Sequence, residues 1–378
     1  MRVRCFSTVG RVPRLFVLAA GLLLAAGCAK DRRADFSVLT GQERIAWSIS
    51  NPREELTVAA SPVRQTLQIL GSAGTVLGFG ISAAQDAAYA KAISDALGEY
   101  SPGTVFEQRL ADALAKHLGE NARRVGPVGT AAGFANQQEA KKARWEGLAQ
   151  SGHSQVLDLD IACGVFGPEG TLVTRVSGEL RALPGGKLLW RDTVTVHSGP
   201  VLASRRLSDP TNRLTPNIAA PRLTIAENAI GQWTGDGGKN LRESFEGGVR
   251  RTVEGLLTAL ELEETADGYL TLGWNAMCRK RYAEAGDLLH QAQEMSPERA
   301  DILNVMAVNL GHAKDEEGAV KMAREALSRD PNHAEAHFNL AWWLSEDRQT
   351  LDEARTHYEA ALAAGAPDHP RLEKRLKD

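Results

Sequence analysis

Apolar and polar residues alternate most regularly in the middle of the chain. Three segments show the pattern, namely 155–163, 171–183 and 187–196. Successive side chains of a strand point to opposite faces of a sheet, so this alternation predicts strands with one buried and one solvated face. Between the second and third segments, residues 184–186 (PGG) supply the backbone conformations that a tight hairpin needs. We therefore predict an antiparallel meander that is packed on helices by one face.

An apolar stripe with a period near 3.6 residues predicts helices before and after these strands in the sequence. The predicted helices cover 83–97, 104–118, 137–150 and 241–260, and shorter strands are predicted at 44–49, 56–60 and 124–129. Residues 198–240 are rich in Pro, Gly, Asn and Asp, and they predict a long loop with a short helix at 223–233. Helices packed on a mixed sheet make an α+β domain over residues 54–262.

From residue 266 the chain repeats itself every 34 residues. Small residues and prolines recur at this step, in the pairs Ala266 and Ala300, Ala285 and Ala319, Ala292 and Ala326, and Pro297 and Pro331. A third unit opens at Ala334 and slips by a residue or two after Leu344. Such a period is the signature of stacked helical units that bury their apolar faces against each other. We predict three units over 266–367 and a polar capping tail at 368–378.

This repeat resembles the tetratricopeptide (TPR) family, whose unit is a helix, a turn and a second helix. The resemblance implies an all-α superhelix with a concave face formed by the first helix of each unit, on which family members bind extended peptides or other proteins. Matching the units in register selects three groove positions in each: Leu270, Trp274 and Met277, then Asn304, Val308 and His312, then Phe338, Trp342 and Ser345.

Two interpretations of this predicted groove remain open. The Lys and Asn set with which chaperone-binding members clamp a terminal carboxylate is missing, because Trp274, Val308 and Trp342 stand at matched positions. An apolar or aromatic segment of a partner protein is therefore the expected ligand. The alternative is that these aromatic residues cover the neighbouring α+β domain and leave no free groove, since tryptophan is enriched at interfaces of both kinds.

The N-terminus has a pattern of its own. Four arginines and no acidic residue precede an apolar run over 15–26, which ends in AAGC at 25–28. A basic start, a short apolar core and small residues before a cut are typical of a secretory signal. The last four residues resemble the lipobox of bacterial lipoproteins, with Ala25 where leucine is usual. The resemblance implies removal of residues 1–27 and acylation of Cys28, and an ordinary signal that leaves this cysteine free is the alternative.

Residues 28–53 have no sustained periodicity and predict a tether that holds the folded part away from lipid headgroups. The resemblance to Gram-negative lipoproteins extends to Ala29 after Cys28. It implies a lipid-anchored protein of the outer membrane that faces the periplasm.

Composition narrows the class of protein. Hydrophobic residues make up 43% and charged residues 24% of 378, as in globular domains, and the net charge is -3. Mild acidity argues against nucleic-acid binding, which needs a basic face. Of four cysteines, Cys163 and Cys278 fall in different predicted domains, so we expect no disulfide framework. The chain after the signal has no second run of about twenty apolar residues that would predict a membrane span.

Catalytic and metal-binding patterns are weak. Asp158 and Asp160 lie two apart on a strand and can share a cation there, but the same spacing suits a solvated strand face. His333 and His337 are spaced i, i+4 on a predicted helix, as zinc ligands are, yet no third ligand accompanies them. Residues 235–239 (GDGGK) lack the spacing of a phosphate-binding loop. We therefore predict no enzyme activity, no cofactor and no metal site.

Three functions follow as hypotheses. The first is a lipid-anchored periplasmic adaptor whose repeats bind partner proteins in envelope assembly or secretion. The second is a metal-dependent envelope hydrolase that uses Asp158 and Asp160. The third is a subunit of an outer-membrane pore or ring, in which the glycine-rich segment 71–80 contacts the membrane or a neighbouring subunit instead of packing on the sheet as a helical hairpin. The α+β domain resembles, at the level of fold only, the periplasmic lipoprotein domains of CsgG, the LpoB activators and the TolB amino-terminus. The oligomeric state has no signal in the sequence.

Overall fold

The computed structural model describes residues 44–50, 57–58, 88–89, 91–127, 134–166, 170–204 and 227–377. All of these lie in one compact unit. Cys28, the predicted signal, most of the predicted tether and segment 71–80 lie outside the described residues. Within the described part of the chain, no helix is long and apolar enough to cross a membrane.

A six-stranded mixed sheet forms the first half of the structure. Its strands are β1 (Ile45–Ser50), β2 (Thr57–Val58), β3 (Ala122–Arg124), β4 (Gln155–Phe166), β5 (Thr171–Ala182) and β6 (Lys187–His197). The order is β3-β1-β4-β5-β6, with β2 beside β4. β1 pairs in parallel with β3 and β4, whereas β4, β5 and β6 are antiparallel. The predicted mixed sheet with an antiparallel meander is confirmed.

Among the described residues, the helices that accompany the sheet are α1 (Pro102–Leu118), α2 (Phe134–Gln150), α3 (Glu227–Thr234) and α4 (Lys239–Ala259), and residues 88–89 and 91–97 are also helical. Helix α1 begins at Pro102, two residues before the predicted start. Its N-cap is Ser101, whose hydroxyl accepts a hydrogen bond from the Thr104 amide. Proline fits the first helical position because the amide it lacks would be unpaired there.

Seven helices follow, namely α5 (Ala266–Cys278), α6 (Tyr282–Met295), α7 (Ala300–His312), α8 (Glu316–Arg329), α9 (Ala334–Leu344), α10 (Leu351–Ala363) and α11 (Pro370–Lys377). Helices α5, α7 and α9 begin 34 residues apart, and so do α6 and α8. The 3-10 turn Arg348–Thr350 adds one residue before α10, which is the predicted slippage. Ala285, Ala319 and Ala354 are fully buried and leave room for the paired helices to pack closely.

Helix α4 joins the sheet to the repeat. Its apolar stripe packs on β5 and β6, and it also contacts α5. Gly255 lies at this contact, where an added Cβ atom would come within 2.9 Å of the Val194 and Thr271 side chains. The sheet and the repeat therefore pack closely against each other at Gly255.

Candidate functional site

The chain that leaves β6 crosses the face formed by the first helices of the repeat. We call residues 199–204 the groove segment. Its Val201 amide donates to Glu335 Oε2 (3.1 Å) and its Ala203 amide donates to Asn339 Oδ1 (2.7 Å). Asn339 Nδ2 in turn donates to the Val201 carbonyl (2.9 Å). The backbone is irregular, as the sequence predicts for this region, but it is held by helix α9.

The side chain at the centre of the groove segment is buried in the repeat. Leu202 is 3% exposed and belongs to the same apolar cluster as Met277, Val308 and Phe338. Full burial of a leucine side chain is worth about 1.5–3 kcal/mol. The segment therefore binds by apolar burial as well as by backbone hydrogen bonds.

One asparagine from the first helix of each unit binds the backbone of this chain. Asn275 on α5 accepts from the Thr195 amide (3.0 Å) and donates to its carbonyl (2.9 Å). Asn304 on α7 and Asn339 on α9 are fully buried. Asn339 donates to Asn304 Oδ1 (2.8 Å), and Asn304 donates to the Val201 carbonyl (3.4 Å). A carboxamide both donates and accepts, so it pairs with backbone irrespective of the side chains carried.

The predicted groove positions divide into three groups. Met277, Asn304, Val308 and Phe338 contact the groove segment or share its apolar cluster. Leu270 and Trp274 line a cavity of about 200 Å³ beside His197, whose ring lies 4.8 Å from Trp274. His312 and Trp342 line a larger cavity, and the Ser345 hydroxyl donates to the Trp342 carbonyl (2.7 Å).

The structure thus combines the two interpretations of the groove. The chain's own segment covers the centre, and the described residues leave one end uncovered. Asn275, Glu335 and Asn339 were missed by register matching. In the sequence, each of them is a polar residue on an otherwise apolar helix face. Such a residue indicates a hydrogen-bonded site, because burying a polar side chain without a partner costs free energy. Partner binding by the groove positions stays a prediction.

The open end is a cavity of about 590 Å³ that begins at Ala203 and Ser204, and we call it the open pocket. This volume lies in the range of ligand pockets. Four cationic side chains line it: Lys280, Lys314, Arg371 and Arg375. Two carboxylates, of Glu316 and Glu346, also line it, and Glu346 is paired with Arg375 at 2.7 Å. The open pocket therefore carries an excess of positive charge.

Aromatic rings form the apolar part of the open pocket. The Arg375 guanidinium lies 4.4 Å and that of Arg371 5.6 Å from the Trp342 ring centroid, both in cation–π geometry. Tyr282 stacks on His312 with centroids 6.2 Å apart. Helix α11, which caps the array, thus brings two guanidinium groups to the edge of the groove.

His312 supplies a polar group without a charge. Burial and the neighbouring Lys314 ammonium lower the pKa of its imidazole, so the ring is neutral at neutral pH. Its Nε2 atom and the Ser204 hydroxyl are buried without a hydrogen-bond partner among the described residues. Both residues line the open pocket.

Asp158 and Asp160, the two aspartates of the candidate cation site, lie on β4 among other side chains of the protein. Asp158 accepts from the Ser48 hydroxyl (2.7 Å) and pairs with Arg144 (2.8 Å). Burial raises the pKa of Asp160, and Arg175 opposes that rise. The lone pairs of Asp158 are thus used within the protein, which leaves the pair poorly suited to sharing a cation.

The two predicted helix histidines do not converge. His333 caps α9 by accepting from the Ala336 amide (3.3 Å), whereas His337 Nδ1 lies 2.9 Å from His357 Nδ1. Among the described residues, no group of three His, Cys, Asp or Glu side chains is placed to hold a metal ion.

No family model matches the chain, and no curated protein matches it. Similar solved structures include the TPR domain of Sgt2 from Aspergillus fumigatus, at 26% identity over 30% of this chain and 74% of that one, with a TM-score of 0.27. MamA is similar at 17% identity over 39% of this chain and 86% of that one, also with a TM-score of 0.27. The paired helices and their 34-residue step are what make this part a TPR-like array.

Proposed function

We propose that this protein is a non-enzymatic adaptor that binds a partner protein at the open pocket of its TPR-like array. The observation that carries the proposal is that the open pocket directly adjoins the groove segment. Ala203 and Ser204 of the groove segment line the open pocket, and the array already holds that irregular segment through hydrogen bonds to its backbone. An array that binds backbone through buried asparagines on successive helices is suited to binding further polypeptide alongside.

The proposal extends to cellular location. The resemblance of residues 25–28 to a lipobox supports a lipid anchor at Cys28, and with it a site on the outer membrane facing the periplasm. An adaptor there acts in envelope assembly or secretion. The hydrolase hypothesis loses its geometric basis because Arg144 and Ser48 engage Asp158. The pore hypothesis depends on segment 71–80, outside the described residues, and stays a prediction.

Photo-crosslinking in living cells tests the binding function. A photoreactive amino acid replaces Glu316, which lines the open pocket, in the full-length protein. The matched control places it at His290, an exposed residue on the second helix of the first unit. We expect a discrete protein adduct from position 316 that is absent from position 290 and is lost on Trp342→Ala. Identical adducts at both positions, or none at 316, would refute partner binding at this site.

Fractionation tests the anchor. Cys28→Ser removes the thiol that acylation requires, so the variant is expected in the soluble periplasmic fraction while the unmodified chain stays with membranes. A variant that remains with the membrane fraction would show that Cys28 is not the anchor.

A further inference from the structure

The charges of the open pocket come from three separate places in the chain. Lys280 and Lys314 lie in the turns that follow the first helices of the first two units, and Arg371 and Arg375 lie on α11. The cations are thus spread around a cavity of about 590 Å³ instead of meeting at a point. A spread of this kind matches several carboxylate side chains along a peptide better than one terminal carboxylate.

Both lysines adopt a backbone conformation that favours glycine. Lys280 has φ of 61° and Lys314 has φ of 75°, each in the left-handed region directly after a helix C-cap. Glycine is the usual residue at that position because a Cβ atom is strained there. A left-handed non-glycine residue costs about 1–2 kcal/mol. Two of the cations of the open pocket thus lie on left-handed turn residues.

The apolar surface between these cations is the Trp342 ring. It is bounded by the guanidinium groups of Arg371 and Arg375 and by His369, whose ring meets it edge-on at 5.3 Å. Buried polar atoms of His312 and Ser204 lie at the same cavity without partners among the described residues. A peptide bound here meets both charge and an aromatic ring.

We propose that the open pocket binds an internal acidic segment of the partner protein, with carboxylate side chains on Lys280, Lys314 and Arg371 and an apolar side chain on Trp342. This inference rests on the proposed adaptor function and names the chemistry of its ligand. Charge complementarity of this kind speeds association and excludes basic segments, which would meet unpaired like charges.

Binding of the full-length protein to an array of random dodecapeptides tests the inference. The peptides are attached to the support through their C-termini, so only side chains supply carboxylates. The test variant is R371Q/R375Q, and the matched control is K374Q/K377Q, which removes two exposed cations from the same helix α11 away from the open pocket. Thermal unfolding of both variants verifies that α11 remains docked through Leu372 and Leu376.

We expect Asp and Glu to be over-represented among bound peptides, and R371Q/R375Q to bind the selected peptides about tenfold or more weakly than the control, which corresponds to about 1.4 kcal/mol. Binding by wild type should also weaken steeply with salt. Peptides that bind in a Trp342-dependent manner without acidic enrichment would overturn the charge inference and leave the adaptor function intact. Equal binding by the two double variants would also overturn it, and a wild type that binds no peptide would overturn both proposals.

Discussion

The groove segment should leave the array as a unit when either of its two anchors is removed. The anchors are Leu202, which supplies apolar burial, and Asn339, which pairs with the Ala203 amide and the Val201 carbonyl. Substituting each by alanine, singly and together, makes a double-mutant cycle on one short segment. The two side chains act on the same backbone, so their effects are expected to be coupled.

The magnitudes follow from the contacts. Leu202→Ala removes a buried leucine and is expected to cost about 2–5 kcal/mol of the free energy of unfolding. Asn339→Ala leaves the Ala203 amide without its acceptor and weakens the pairing of the Val201 carbonyl. At about 1–3 kcal/mol for each of these two groups, it is expected to cost about 2–6 kcal/mol. If the first substitution already releases the segment, the second removes little more, and the coupling energy reaches about 2 kcal/mol.

Urea unfolding of the full-length protein, followed by circular dichroism, measures each free energy. The control pairs Leu202→Ala with Asn309→Ala. Asn309 is a buried asparagine on α7 that donates to the Tyr282 carbonyl (3.0 Å), outside the hydrogen bonds that hold the groove segment. Those two losses should add within about 0.5 kcal/mol. Additive losses for Leu202 and Asn339 as well would refute the view that the segment binds as one unit.

Three further outcomes are expected. Lys314→Gly should raise the free energy of unfolding by about 0.5–1 kcal/mol, because relief of about 1–2 kcal/mol of left-handed strain exceeds the extra unfolded-state entropy of glycine, while it weakens binding of acidic peptides. Gly255→Ala should cost about 1–3 kcal/mol, because the new methyl group meets β6 and α5. His312→Gln should flatten the fall of the melting temperature as the pH drops below about 6.5, since the imidazole with its lowered pKa takes up a proton more readily when unfolded.

The first two predictions have matched control variants. Lys321→Gly, inside α8, should lower the free energy of unfolding by about 1 kcal/mol, whereas Lys314→Gly raises it. Gly247→Ala lies on α4 with open space around the new methyl group and should be neutral or stabilising. A pH profile left unchanged by His312→Gln, measured by differential scanning calorimetry, would contradict the role assigned to that ring.

The meander and the repeat were predictable because their signals are local. Alternation over 155–196 specifies which strand face is buried, and a 34-residue step places small residues where paired helices cross. Both patterns repeat the same physical constraint several times within a short stretch of chain. A single atypical residue therefore does not hide them.

The groove segment has no such signal. Residues 199–204 are short and aperiodic, and their hydrogen-bond partners lie far along the chain, since Ala203 and Asn339 are 136 positions apart. The cations of the open pocket are likewise contributed by two turns and a terminal helix, so no local motif contains them. What the sequence showed at these places was composition, and composition does not specify which side chains meet.

The way β6 continues into the array limits how this protein can be taken apart. A fragment that begins at residue 266 would keep every repeat helix. It would lose the backbone groups that pair with Asn275, Asn304 and Asn339. Chimeras that graft the array onto another protein must therefore carry residues 195–204 with it, or supply a substitute peptide. In engineering terms, the exchangeable part begins within the last strand of the sheet.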